Sequence, residues 1–219
     1  MNKKKNILIV GGMGVMGQKL SSFCLNKGYH VNIITNKKIK HKKIKNLKVS
    51  KIDITNKKKI QKFLNKFKEL DIYYLASSNL SSTQIENLNF TQKNVEANVV
   101  GLINFLELLH LKKNFKFFYT CSCHIFNNQN LSPQNENTMP KFKSSYALTK
   151  FIGKEICEFY RKNRNIFCNV GIMYTNVSEN IKKEFLIKTI ISQLKSSKKD
   201  VYLKNPDAKL DMMSTNDAI

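Results

Sequence analysis

The stretch Ile7-Leu-Ile-Val-Gly-Gly-Met-Gly-Val-Met-Gly17 decides the fold. Asn6 to Val10 reads as a buried strand, and the glycines that end it open directly into helical periodicity from Met16 to Asn26. Gly11 permits a tight turn off the strand. Gly14 lets backbone approach a pyrophosphate with no side chain between them, and Gly17 lets the helix pack closely. Val15 and Met16 stand at the helix N-terminus, which supplies amide donors to an anion. A glycine string alone is a weak signal; a strand before it, a helix after it and a second strand, His30 to Thr35, make this one specific.

Outward from that stretch, short apolar runs alternate with amphipathic ones, the pattern of parallel strands joined by crossover helices. Further strands are expected at Leu47 to Ile52, Asp71 to Leu75, Phe115 to Thr120 and Ile166 to Met173, and a short one at Val201 to Leu203. Helices are expected at Lys57 to Phe67, Asn89 to Leu111, Ser145 to Asn163 and Lys182 to Lys195, with irregular segments at Asn36 to Asn46 and Asn127 to Lys143. The fold class is α/β: a doubly wound, Rossmann-type parallel sheet over residues 1–175, followed by a partial, truncated C-terminal substrate lobe over residues 176–219.

The 219 residues are 42% hydrophobic, enough for a core, and carry a net charge of +23. All of the cations but Arg161 and Arg164 are lysines, scattered without interleaved aromatics, so the charge reads as a solvated surface and no nucleic-acid partner is expected. The five cysteines are odd in number and lack paired metal-ligand spacing, which implies buried thiols in a reducing cytoplasm and no metal. No apolar run reaches membrane-spanning length, so no membrane insertion is expected.

At the end of the second strand stand Asn36 and Lys37, where a carboxylate would select NAD; basic residues favour the 2′-phosphate of NADP, and NAD remains the alternative. Asp53 is either an adenine contact or a cap for the helix near Asn56. Ser122 stands near the end of the fifth strand, and Tyr146 and Lys150 lie four apart on one helix face, so an ammonium can stand beside a phenol. Free tyrosine titrates near 10, about three units above neutrality, and a neighbouring cation favours the phenolate needed for acid–base work.

These residues resemble the extended short-chain dehydrogenase/reductase superfamily of nucleotide-sugar epimerases and dehydratases. The likeness runs through Val10 to Gly17, Asp53-Ile54, Leu75-Ala76-Ser77, Asn98 to Glu107, Phe117 to Ser122 and Ser145 to Lys150. It implies that Ser122, Tyr146 and Lys150 form a catalytic triad, with Asn98 supporting a proton relay and Lys150 also holding the nicotinamide ribose. Ile54, Leu75, Ala76 and Ser77 become cofactor contacts.

Tyr119 to Phe126, Phe167 to Glu179 and Leu203 to Asp211 are similar to the GDP-mannose 4,6-dehydratases. In that pattern a Glu two residues after the catalytic hydroxyl abstracts a proton from carbon 5 of the sugar. His124 stands there in this chain, either as a base or as a polar wall. Val10 replaces a usual Thr and Asn127 a usual Gly.

The implied activity passes through a 4-keto sugar made from a nucleoside-diphosphate sugar, with dehydration or epimerisation following. The competing reading is a catalytically silent or truncated NADP-binding protein. The resemblance also implies a homodimer through the helices of Asn98 and Tyr146, with Val99, Ile103, Leu106, Ile152 and Ile156 either at that interface or facing the sheet.

Overall fold

The structure is a computed structural model that describes residues 4–37, 44–78, 86–126, 133–181, 185–196, 200–203 and 210–219. Six parallel strands form the central sheet: β1 (Asn6–Val10), β2 (His30–Thr35), β3 (Leu47–Lys51), β4 (Leu70–Tyr74), β5 (Phe115–Ser122) and β6 (Cys168–Met173). Their order is β3-β2-β1-β4-β5-β6, so the chain winds outward from β1 in both directions and leaves a crevice at the carboxyl ends of β1 and β4. β1 runs in register with both neighbours, Ile9 opposite Ile33 of β2 and Tyr73 of β4.

Burial on both faces explains why the central strands β1 and β2 read as largely apolar runs. One core cluster lies between the sheet and the helices α2 (Lys57–Leu64), α4 (Gly101–Leu109) and α5 (Ser145–Arg164), around Tyr74, Phe105, Phe117 and Tyr119. The other lies beneath α1 (Val15–Asn26), around Ile7, Ile9, Leu20 and Ile33. No helix of the described residues is long and apolar enough to cross a membrane.

The helix expected from Asn89 to Leu111 is interrupted. It comprises α3 (Leu88–Val95), a π turn (Glu96–Val100) and α4, a widening that the continuous apolar pattern does not betray. The strand expected at Val201 to Leu203 is absent. Tyr202 is 80% exposed there and its amide donates to the Gln193 side chain at 2.8 Å, so no ladder forms. A pair that the sequence reading missed lies instead at β7 (Thr175–Val177) and β8 (Met212–Ser214), parallel and three residues each. The last helix, α6 (Leu186–Lys195), buries no residue. Residues 182–184, at the expected start of that helix, lie outside the described residues, as do Asn127 and residues 204–209 of the stretch from Leu203 to Asp211.

Four cysteines are buried as expected, whereas Cys123, beside Ser122, is half-buried. Leu106 belongs to the core, which places it toward the sheet rather than at an outer helix face. Val99, Ile103, Ile152 and Ile156 are half-buried.

Candidate active site

The glycine loop is shaped as its sequence requires. Gly11 has φ +84°, and a β-carbon there would lie 2.8 Å from the backbone of Ala76, so both the turn and the close approach of β4 need glycine. Gly17 packs on the loop itself, its would-be β-carbon 2.5 Å from Gly12, a tighter constraint than the helix-to-sheet packing expected. Gly14 begins α1 without a side-chain cap, and no acidic residue lies in the first turn. The first amides of the helix therefore remain available to an anion.

A cleft of about 540 Å³ opens at the carboxyl ends of the strands. Gly11, Gly14, Asn36, Lys37, Asp53, Ile54, Leu75, Ala76 and Ser77 all line it. Val15, Met16 and Gly17 do not; they form the first turn of α1 behind it. A larger hollow of about 900 Å³ lies at the opposite, amino ends of the strands, the wrong end of such a sheet for a ligand. Asp53 is no helix cap, because Asn56 accepts from the Lys59 amide and caps α2. Its carboxylate instead accepts from the amide and hydroxyl of Thr55, at 2.9 and 2.8 Å. Lys93, Glu96 and Ala97 close the far wall from α3 and the π turn; nothing in the sequence pattern pointed to them. The geometry fits an adenine dinucleotide: open amides for a pyrophosphate, with Lys37 and no carboxylate at the end of β2.

Beside the cleft, the segment after β4, the end of β5 and α5 bring together the side chains of Ser77, Ser122, Tyr146 and Lys150. Ser144 caps α5 by accepting from the Ala147 amide at 3.1 Å, and the Glu86 carboxylate accepts from the Ser145 amide at 2.7 Å. This fixes the first turn and with it Tyr146. Burial pushes the pKa of Tyr146 up to about 12, while the nearby hydroxyls of Ser122 and Ser77 pull the other way. Ser77 is expected only as a cofactor contact; no periodicity reports a contact between the segment after β4 and α5. The Ser122 hydroxyl also accepts from the His124 amide at 3.3 Å.

Lys150 is 2% exposed and donates to the Thr120 carbonyl at 2.7 Å. Its ammonium lies 4.9 Å from the ring centre of Tyr119 and 6.0 Å from that of Tyr146. Burial pushes its pKa down to about 8. Asn98 sits on the π turn, wholly buried, and donates to the Thr149 hydroxyl at 3.1 Å, one residue before Lys150. Tyr74 braces the same turn, its phenol donating to the Ala97 carbonyl at 2.5 Å. His124 meets Tyr146 edge to face at 5.7 Å between ring centres. It is open to solvent on one side, yet the protein around it desolvates the ring enough to lower its pKa.

A family profile described as GDP-mannose 4,6 dehydratase matches residues 8–219. GDP-mannose 4,6 dehydratase of Drosophila melanogaster is 26% identical over 206 residues, covering 86% of this chain and 51% of its own length. The chain spans about half the length of several of the curated relatives it matches. Among solved structures, dTDP-glucose 4,6-dehydratase of Bacillus anthracis in complex with NAD superposes with a TM-score of 0.81 at 18% identity, over 98% of this chain and 68% of that one. UDP-glucose 4-epimerase of Thermotoga maritima with UDP-glucose gives 0.82 at 16% identity, over 97% and 70%. These structures carry the same fold, and the profile match spans nearly the whole sequence: the chain belongs to the GDP-mannose 4,6 dehydratase family.

Proposed function

We propose that the protein is an NADP-dependent nucleotide-sugar dehydratase or epimerase that acts through a 4-keto sugar. The observation that carries this reading is the Lys150 ammonium 6.0 Å from the ring centre of Tyr146, with the hydroxyls of Ser122 and Ser77 near the phenol. Ser122 and Ser77 orient the sugar's 4-hydroxyl toward Tyr146, which takes its proton. The positive charge of Lys150 favours the phenolate that burial opposes. Bound NADP⁺ supplies a reversible hydride acceptor at carbon 4. Lys150 would also hold the nicotinamide ribose, and Asn98 steadies its helix through Thr149.

Dehydration is favoured by His124. Desolvation favours its neutral imidazole, and its edge-to-face contact with Tyr146 puts a base beside the proposed acid–base tyrosine, suited to carbon 5. Lys37, with no acid at the end of β2, supports NADP over NAD. In this reading residues 1–175 form the dinucleotide-binding unit and residues 176–219 contribute to the substrate side. The protein would work in the cytoplasm as a homodimer, pairing through the outer faces of the π turn, α4 and α5, where Val100, Leu148 and Phe159 are exposed and Ile103 and Ile152 half-buried.

The test is mass spectrometry of GDP-mannose and other nucleotide sugars incubated with the protein and NADP⁺, against a Tyr146→Phe control. Loss of water absent from the control establishes a dehydratase, and an isomer resolved by chromatography establishes an epimerase. An unchanged panel refutes both and leaves a silent nucleotide-binding protein.

A further inference from the structure

Lys150 is a buried cation held without a carboxylate. None of the ion pairs among the described residues includes it. Its one hydrogen bond to the protein among the described residues goes to the neutral carbonyl of Thr120. The titratable groups facing it are Tyr119 and Cys121 from β5, Tyr146 and Cys157 from its own helix, and, beyond Tyr146, His124. The π turn adds the uncharged Asn98, and Lys154, one turn along α5, pairs outward with Glu155 and Glu158. A desolvated ammonium requires negative potential, and beyond the single Thr120 carbonyl the nearest source is the face of the Tyr119 ring, 4.9 Å away.

That ring has nowhere to go. Tyr119 is fully buried at the middle of β5, flanked by Tyr74 with ring centres 6.1 Å apart. Above it α5 presents Gly153, where a β-carbon would fall 2.3 Å from the phenol oxygen. The hydroxyl has no hydrogen-bond partner among the described residues, so packing of the ring, not its polar end, fixes its place. The same helix carries Gly153 and, one turn earlier, Lys150, so the contact that seats the ring also sets the distance from ring to ammonium.

We infer that Tyr119 is the positioning residue for Lys150, its ring face holding the charged ammonium where it confronts Tyr146. This rests on the reading of Lys150 as the electrostatic partner of Tyr146. Fluorination of an aromatic ring preserves its shape while draining the negative potential of its face, so it separates this role from simple packing.

The experiment replaces Tyr119 with phenylalanine, Tyr119→Phe, and with mono-, di- and trifluorinated phenylalanine. The Lys150 ammonium is titrated by NMR of isotope-labelled lysine, its resonance assigned by its loss in Lys150→Arg. Tyr119→Phe should leave the titration nearly in place, and fluorination should lower it stepwise by about one pH unit in all. The pH profile of turnover should move with it, through kcat rather than KM. A titration unmoved across the series overturns the inference, whatever the activity. Stepwise movement in a protein that turns over no nucleotide sugar upholds the positioning role and refutes the proposed function instead.

Discussion

The ammonium of Lys150 donates to the Thr120 carbonyl at 2.7 Å from within the protein interior, and burial lowers its pKa from 10.5 to about 8. Between those values the unfolded chain keeps a proton that the folded chain has released, so stability rises with pH. Relative to a Lys150→Met variant, urea denaturation should show the wild type gaining up to about 1.4 kcal/mol per pH unit from about pH 8 to about pH 9. Cys123, its thiol raised by burial from 9.0 to about 11, contributes the opposite slope in both proteins and so cancels from the difference. A difference that stays flat with pH refutes the desolvated ammonium.

Gly153→Ala would set a methyl group 2.3 Å from the Tyr119 phenol oxygen and 2.6 Å from its ring carbon. Overpacking of this kind costs about 1–3 kcal/mol. Adding Tyr119→Phe removes the nearer of the two atoms and should restore part of the loss in a double-mutant cycle. Additive effects of the two changes would mean that helix and strand do not meet at this point.

Two left-handed glycines provide a matched comparison. Gly28 has φ +77° with open space around it, so Gly28→Ala carries only the conformational penalty, about 1–2 kcal/mol. Gly11→Ala adds a collision with the Ala76 backbone at 2.8 Å. It should destabilise the protein further than Gly28→Ala and weaken NADP⁺ binding, whereas Gly28→Ala should leave binding intact. Calorimetry of both variants with and without the dinucleotide checks this, and equal effects on binding would contradict the loop assignment.

Lys37→Glu places a carboxylate at the end of β2, on the wall of the cleft. The affinity for NADP⁺ should fall at least about tenfold while that for NAD⁺ holds or improves. Isothermal titration with both dinucleotides gives the ratio; an unaltered ratio removes Lys37 from the selector.

Much of this architecture is legible because a parallel sheet buried on both faces writes itself as apolar runs. β1 and β2 lie where the runs begin and end, and α5 extends only one residue beyond its expected end at Asn163. The glycine loop was readable for the same local reason, each constraint falling within a few residues. What escaped is what lacks a local signature. β7 and β8 are short, with β8 exposed throughout, so they leave no period to detect. The π turn around Asn98 interrupts no apolar stripe. The approach of Ser77 to Tyr146 and the stacking of Tyr119 under Lys150 are tertiary, created by the register of β4 with β5 and the descent of α5 onto it.

That register has a mechanical consequence. Tyr74 and Tyr119 stand opposite one another on adjacent strands, and each fits beneath a helix glycine, Tyr74 under Gly101 and Tyr119 under Gly153. The two phenols act as pegs and the two glycines as slots. Sliding either helix along its axis would drive a side chain onto a peg, so the helical layer is indexed to the sheet at two points. The groups that meet around Tyr146 are thereby aligned by a gauge built into the core, before any ligand arrives to arrange them.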